Sequence, residues 1–156
     1  MVNVLFVCLG NICRSPMAEA VFKDLVAKKG WSESIAVDSA GTGSWHIGEP
    51  PHKGTQQLLK EKNISTQGLK ARQVKKEDLE TYDYVIAMDA KNVGDLQQLA
   101  GTISAKHVAR LLDFVPSSHV EDVPDPYYTG NFEEVYELVV SGCQELLAVI
   151  AQEHQL

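Results

Sequence analysis

Residues 3–8 (NVLFVC) form a short, nearly continuous apolar run, as expected of a parallel strand buried on both faces. Apolar residues then recur only at helical spacing: Met17, Val21 and Leu25 in one row, Ala18, Phe22 and Val26 in the next, with Gly30 closing the segment. The chain must therefore pass from a buried strand to an amphipathic helix across a very tight loop. Ser15 is expected to cap that helix and Pro16 to take its first position, where no amide hydrogen is required. A strand, tight loop and helix in this order belong to an α/β fold with its ligand site at the loop.

The alternation continues along the chain. It predicts strands at 35–39, 84–88 and, more weakly, 107–112, with helices near 51–62, 75–81, 91–99 and 131–152. Strands separated by helices pair in parallel through right-handed crossovers. Residues 1–156 are thus expected to form one domain, a doubly wound parallel sheet of about four strands flanked by helices. Ligands of such sheets sit beyond the carboxyl ends of the strands. The loops at 8–15 and 121–128 both follow predicted strands and can meet at that edge.

Within 8–15 the spacing is Cys8, five residues, Arg14, Ser15, with Gly10 and Asn11 inside. Gly10 is expected to take backbone conformations closed to other residues, and Asn11 tolerates a left-handed one. A loop curled this way onto a helix N-terminus can aim the amides of Leu9, Gly10, Asn11, Ile12, Cys13, Arg14 and Ser15 at one phosphate. Arg14 adds a fork for two phosphate oxygens. The same positive surroundings favour a thiolate at Cys8, aligned with the bound phosphorus.

The net charge of −7 argues against a nucleic-acid partner and requires any phosphate site to work locally. No apolar stretch is long enough to span a membrane, and the start of the chain lacks the basic region of a signal peptide. Three cysteines, an odd count, argue against a secreted disulfide framework, so reduced thiols and a cytoplasmic location are expected. Cys143 falls in the apolar stripe of the last helix and reads as structural. The five histidines show no metal-ligand spacing, and neither metal nor cofactor is expected.

The segment VLFVCLGNICRSPMAEA, followed in order by VDSAGT, GLKARQV, YDYVIAMD and VPDPYY, resembles the low-molecular-weight protein tyrosine phosphatases over nearly the whole chain. The resemblance implies Cys8 as nucleophile, Arg14 as phosphate ligand and Asp125 as general acid. Chemistry supports the last role. A tyrosyl leaving group has a conjugate pKa of about 10, so protonating it helps by a factor of roughly 10²–10⁴. Ser15 is expected to donate its hydroxyl to the Cys8 sulfur. Asn11 and Ser39 resemble residues that brace the loop, whereas Leu69 stands where many relatives carry a histidine of that network. Ile12, Trp45, Tyr127 and Tyr128 resemble walls of the substrate pocket.

The implied substrates are phosphotyrosine proteins or small aryl phosphates; the sequence does not fix the oligomeric state, and a monomer is favoured. Phosphoarginine ranks second, because some relatives acting on it carry threonine at the Ile12 position. An arsenate reductase would relay electrons through further cysteines, and the only later one is Cys143. A silent phosphate-binding or redox-sensing module would have no use for Asp125.

Overall fold

The computed structural model describes residues 1–101 and 107–156. Its strands are β1 (Val2–Cys8), β2 (Ile35–Gly41), β3 (Tyr84–Ala87) and β4 (Val108–Arg110). They form one parallel sheet in the order β2-β1-β3-β4. Helices α1 (Arg14–Lys28), α2 (Lys53–Glu61), α3 (Asp78–Thr81), α4 (Ala90–Ala100), α5 (Pro126–Thr129) and α6 (Phe132–His154) fill the connections and the C-terminus.

Alternation along β1 explains why both faces are covered. Val2, Val4, Phe6 and Cys8 join the core beneath α1, α2 and α6, where Phe6 meets Phe22 edge to face at 5.5 Å. Leu5 and Val7 point the other way, into a second core with Leu79 of α3 and Leu96 and Ala100 of α4. Among the described residues no helix is long and apolar enough to cross a membrane.

The doubly wound architecture agrees with the sequence, but several boundaries differ. Helix α1 begins at Arg14 with Cys13 in the N-cap position and no side-chain cap. Ser15 therefore lies inside the first turn instead of capping it, because its hydroxyl is engaged elsewhere. At the other end Gly30 adopts φ +75, and the amides of Gly30 and Trp31 bond back to Ala27 and Val26 at 3.0 Å each, a Schellman closure. The weak last strand spans only Val108–Arg110, after which the chain tightens into a 3-10 turn at Leu111–Phe114. The loop expected at 121–128 ends in α5, which Asp125 caps by accepting the Tyr127 amide at 3.1 Å.

Parallel pairing aligns the strand ends. Cys8 lies opposite Gly41, Val7 lies opposite Ala87, and the amide of Met88, just past β3, reaches Val7 O at 3.1 Å. The loops after β1, β2 and β3 consequently share one edge.

Candidate active site

The loop after β1 is tied down on both sides before any side chain acts. Thr42 and Gly43 donate their amides to Cys8 O and Leu9 O at 2.9 Å each. The His52 amide donates to Ile12 O at 2.7 Å, and the Thr55 hydroxyl donates to Cys13 O at 3.3 Å. Gly41 is required for the close approach, since a Cβ there would lie 2.9 Å from Leu9 O.

The left-handed residue of the loop is Asn11, with φ +57, whereas Gly10 has no positive φ. Gly10 is needed for room instead: a Cβ on it would stand 3.2 Å from Cδ2 of His46. The turn at Asn11 lets its amide donate to Cys8 Sγ at 3.3 Å.

The buried Asn11 side chain organises the surroundings. Its Oδ1 accepts the Arg72 amide at 3.0 Å, which fixes the orientation of the carboxamide. Its Nδ2 then donates to Ser15 Oγ at 2.7 Å and to Ser39 Oγ at 3.0 Å. Since Ser15 receives that hydrogen, its own is free for Cys8 Sγ, 2.9 Å away. Two donors thus converge on the sulfur, an arrangement suited to an anionic nucleophile at the positive end of α1. Ser39 passes its hydrogen to Glu19 Oε1 at 2.6 Å, and Oε2 of the same carboxylate meets Lys23 Nζ at 2.5 Å. Leu69, buried in the main core, takes no part in this network.

Arg14 is buried and anchored through one end of its guanidinium. Nη1 donates to Asp89 Oδ2 at 2.7 Å and to Val123 O at 2.9 Å. Nε is buried without a hydrogen-bond partner among the described residues, and Nη2 has only Asp125 Oδ2 at 3.5 Å. The Nε and Nη2 edge is therefore the one left for a two-oxygen ligand. A buried unpaired donor costs about 1–3 kcal/mol, which an anion on that edge would offset. Burial pulls the Arg14 pKa down, but Cys8, Asp89 and Asp125 outweigh it, so the net shift is upward and the cation is secure. Burial, reinforced by Cys8 and Asp125, pushes the Cys13 thiol up to about 12, so Cys13 is a neutral thiol at ordinary pH.

Cys8, Leu9, Gly10, Ile12 and Cys13 floor a pocket of about 360 Å³, with Asp125, Trp45, Tyr127 and Tyr128 around it. Every residue expected as nucleophile, acid or aromatic wall is brought to this cavity or to its supporting network. The aromatic rim is exposed: Trp45 by 69% and Tyr128 by 75%. Tyr127 and Tyr128 are set edge to face at 5.3 Å on α5. Among the described residues no cluster of His, Cys, Asp and Glu could hold a metal ion.

Sequence reasoning missed four contributors. Asp89 anchors Arg14 while its Oδ1 caps α4 through the Asn92 amide at 2.8 Å, and an aspartate between strand and helix was a usable signal. Glu19 reads in sequence as an ordinary polar helix residue, yet it is 4% exposed. Arg72 braces Asn11 through a backbone amide, a role with no side-chain signature. His46 lines the pocket with its Nδ1 2.5 Å from Glu49, and nothing in the sequence set it apart from the other histidines.

Comparison with known proteins agrees with this geometry. Residues 3–156 match the family model described as low molecular weight phosphotyrosine protein phosphatase. The chain is 60% identical to the low molecular weight protein-tyrosine-phosphatase YfkJ of Bacillus subtilis, over the whole of both proteins. The YfkJ crystal structure superposes with a TM-score of 0.97 over 98% of this chain and 96% of that one. PtpA of Staphylococcus epidermidis, a protein of the same description, is 44% identical over 100% of this chain and 98% of its own. The Drosophila arginine phosphatase DARP is 35% identical, with a TM-score of 0.87 over 94% of this chain and 96% of that one.

Proposed function

The chain belongs to the low molecular weight phosphotyrosine protein phosphatases, and from that premise we propose a two-step hydrolysis in which Cys8 takes the phosphoryl group from phosphotyrosine and water then removes it. Cys8 Sγ attacks phosphorus while the loop amides and the Nε and Nη2 edge of Arg14 hold the equatorial oxygens. Charge on those oxygens is met by fixed donors, so little reorganisation is needed during transfer. Asp125, beside the cavity, protonates the departing phenolic oxygen. Its carboxylate then accepts a proton from the water that attacks the phospho-cysteine. Ser15 donates to the sulfur as it leaves.

The observation that carries this reading is the convergence on Cys8 Sγ of the Asn11 amide and the Ser15 hydroxyl, with Asp125 lining the same cavity. An inert buried cysteine has no need of two donors. Ranking phosphotyrosine above phosphoserine follows from depth: Cys8 is 3% exposed, and only a long, flat aryl ester reaches it between Ile12, Trp45, Tyr127 and Tyr128. Phosphoarginine is the second candidate, in view of the likeness to DARP, with the apolar Ile12 at the pocket floor favouring an aromatic ring.

The test is hydrolysis of p-nitrophenyl phosphate without added metal by the wild type and Cys8→Ser, followed by a panel of phosphotyrosine, phosphoserine and phosphoarginine peptides. The expected result is activity only with Cys8 intact and the highest kcat/KM on phosphotyrosine. Equal rates from both proteins would overturn the nucleophile, and a higher value on phosphoarginine would reverse the ranking.

A further inference from the structure

Trp45 and Leu9 belong to two cavities at once. On one side lies the pocket above Cys8. On the other runs a groove of about 410 Å³ whose floor carries Thr42 and whose far walls include Gln73, Lys91, Asp95 and Gln98. We propose that this groove binds the polypeptide immediately beside the phosphotyrosine of a protein substrate, accepting its main chain and one neutral side chain. The proposal rests on the tyrosine phosphatase reading and adds a recognition site to it.

Continuity is the first support. A protein substrate must leave the phosphate pocket across its rim, and the shared walls Leu9 and Trp45 make the groove the adjoining channel. Trp45 is seated on backbone: a Cβ at Gly43 would fall 1.9 Å from the indole ring. Its other surfaces are open, which explains how one side chain can serve both cavities.

The groove is also held in register with the nucleophile. Thr42 and Gly43, which line it, bond through their amides to Cys8 O and Leu9 O. A chain lying on them stands at a fixed distance from the sulfur, as productive positioning requires.

The polarity suits a peptide. Thr42 Oγ1 is shielded from solvent and has no hydrogen-bond partner among the described residues. A peptide group reaches that hydroxyl once the Thr42 side chain turns toward the groove, and pairing then satisfies a donor that is otherwise buried and unmet. Gln73 is fixed nearby by donating Nε2 to Thr42 O at 3.2 Å. Across the groove, residues 91, 95 and 98 lie on one face of α4. Lys91 is 3.3 Å from Asp95, so the one cation that lines the groove among the described residues is already balanced. On a chain of net charge −7, that leaves nothing to attract an acidic flank and favours a neutral one.

The experiment compares p-nitrophenyl phosphate, end-blocked phosphotyrosine, and neutral phosphotyrosine peptides extended on the N-terminal or the C-terminal side only. The proteins are the wild type, Gln98→Trp to fill the groove, and Thr42→Val to remove the hydroxyl at nearly constant volume. Extension on one side is expected to raise wild-type kcat/KM about tenfold, a typical gain from a few good contacts. Gln98→Trp should erase that gain with unchanged p-nitrophenyl phosphate turnover, and Thr42→Val should lower kcat/KM on the extended peptide relative to that on p-nitrophenyl phosphate. A glutamate flank should gain less than a glutamine flank. No gain from extension, a gain that survives Gln98→Trp, or an equal fall on both substrates would overturn the proposal. Failure of the wild type on p-nitrophenyl phosphate would instead overturn the phosphatase reading itself.

Discussion

Nη1 of Arg14 donates to Asp89 Oδ2 at 2.7 Å, and the other oxygen of the same carboxylate caps α4. One aspartate thus orients the guanidinium and joins it to the helix after β3. Asp89→Asn keeps an acceptor for the cap but removes the charge that holds Arg14. It is expected to lose about tenfold or more in kcat/KM with little change in melting temperature. Asp89→Ala should lose the cap as well, near 1 kcal/mol by denaturant titration. Wild-type kinetics in Asp89→Asn would remove Asp89 from positioning.

Asp125 caps α5 through Oδ1, so Asp125→Asn preserves the local helix while abolishing the transferable proton. Turnover of aryl phosphates with poor leaving groups should fall by roughly 10²–10⁴, and of activated ones much less. A loss independent of leaving-group pKa would exclude proton donation.

Ser39 donates its hydroxyl to Glu19 Oε1 at 2.6 Å and accepts from Asn11 Nδ2 at 3.0 Å, so Glu19 holds the group that braces the loop. Glu19→Gln retains an acceptor and should remain active. Glu19→Ala leaves Ser39 to rotate and should slow kcat several-fold with a stability loss of about 1–3 kcal/mol. Leu69→His would enter a full core and is expected to lower stability without a gain in rate. A faster, stabler Leu69→His would mean that the network is incomplete as it stands.

Peroxide should oxidise the Cys8 thiolate to a sulfenic acid, after which attack by Cys13 sulfur forms a disulfide and releases water. Because burial holds the Cys13 thiol near 12, closure should be slow at neutral pH and quicken as pH rises. The measurements are recovery with dithiothreitol for the wild type and Cys13→Ser, and the Cys8-Cys13 linked peptide by mass spectrometry. Equal recovery without that peptide would exclude the disulfide.

Alkaline stability should fall for a related reason. Unfolded cysteines ionise near 9.0, whereas folded Cys13 keeps its proton to about 12, and burial also raises Cys143. Above the unfolded value the native state binds more protons than the unfolded one, so stability declines with pH through that window and is whole below it. Each group contributes a slope of at most about 1.4 kcal/mol per pH unit. Urea midpoints between pH 8 and 10.5 should show the decline, shallower in Cys143→Ala. Equal slopes in both proteins would exclude a Cys143 contribution.

Local sequence determined much of this protein because the constraints at the loop are local. A two-face apolar strand, an Asn able to turn left-handed, and a helix beginning within a few residues leave the chain from Cys8 to Ser15 little choice, and the Cys8 to Arg14 spacing travels with it. The alternation of strand and helix periods likewise determined the sheet. The partners at long range were decided only by tertiary structure. Asp89 meets Arg14 because parallel pairing of β1 with β3 aligns their ends, and Arg72 meets Asn11 because its chain returns beside Gly41. The sequence offers the Ser15 hydroxyl two uses, as a cap of α1 and as a donor to Cys8. The fold assigned that hydroxyl to Cys8 once Asn11 supplied the competing hydrogen. Periodicity encodes which face of an element is buried, whereas which polar groups share that burial depends on distances that only the assembled sheet sets.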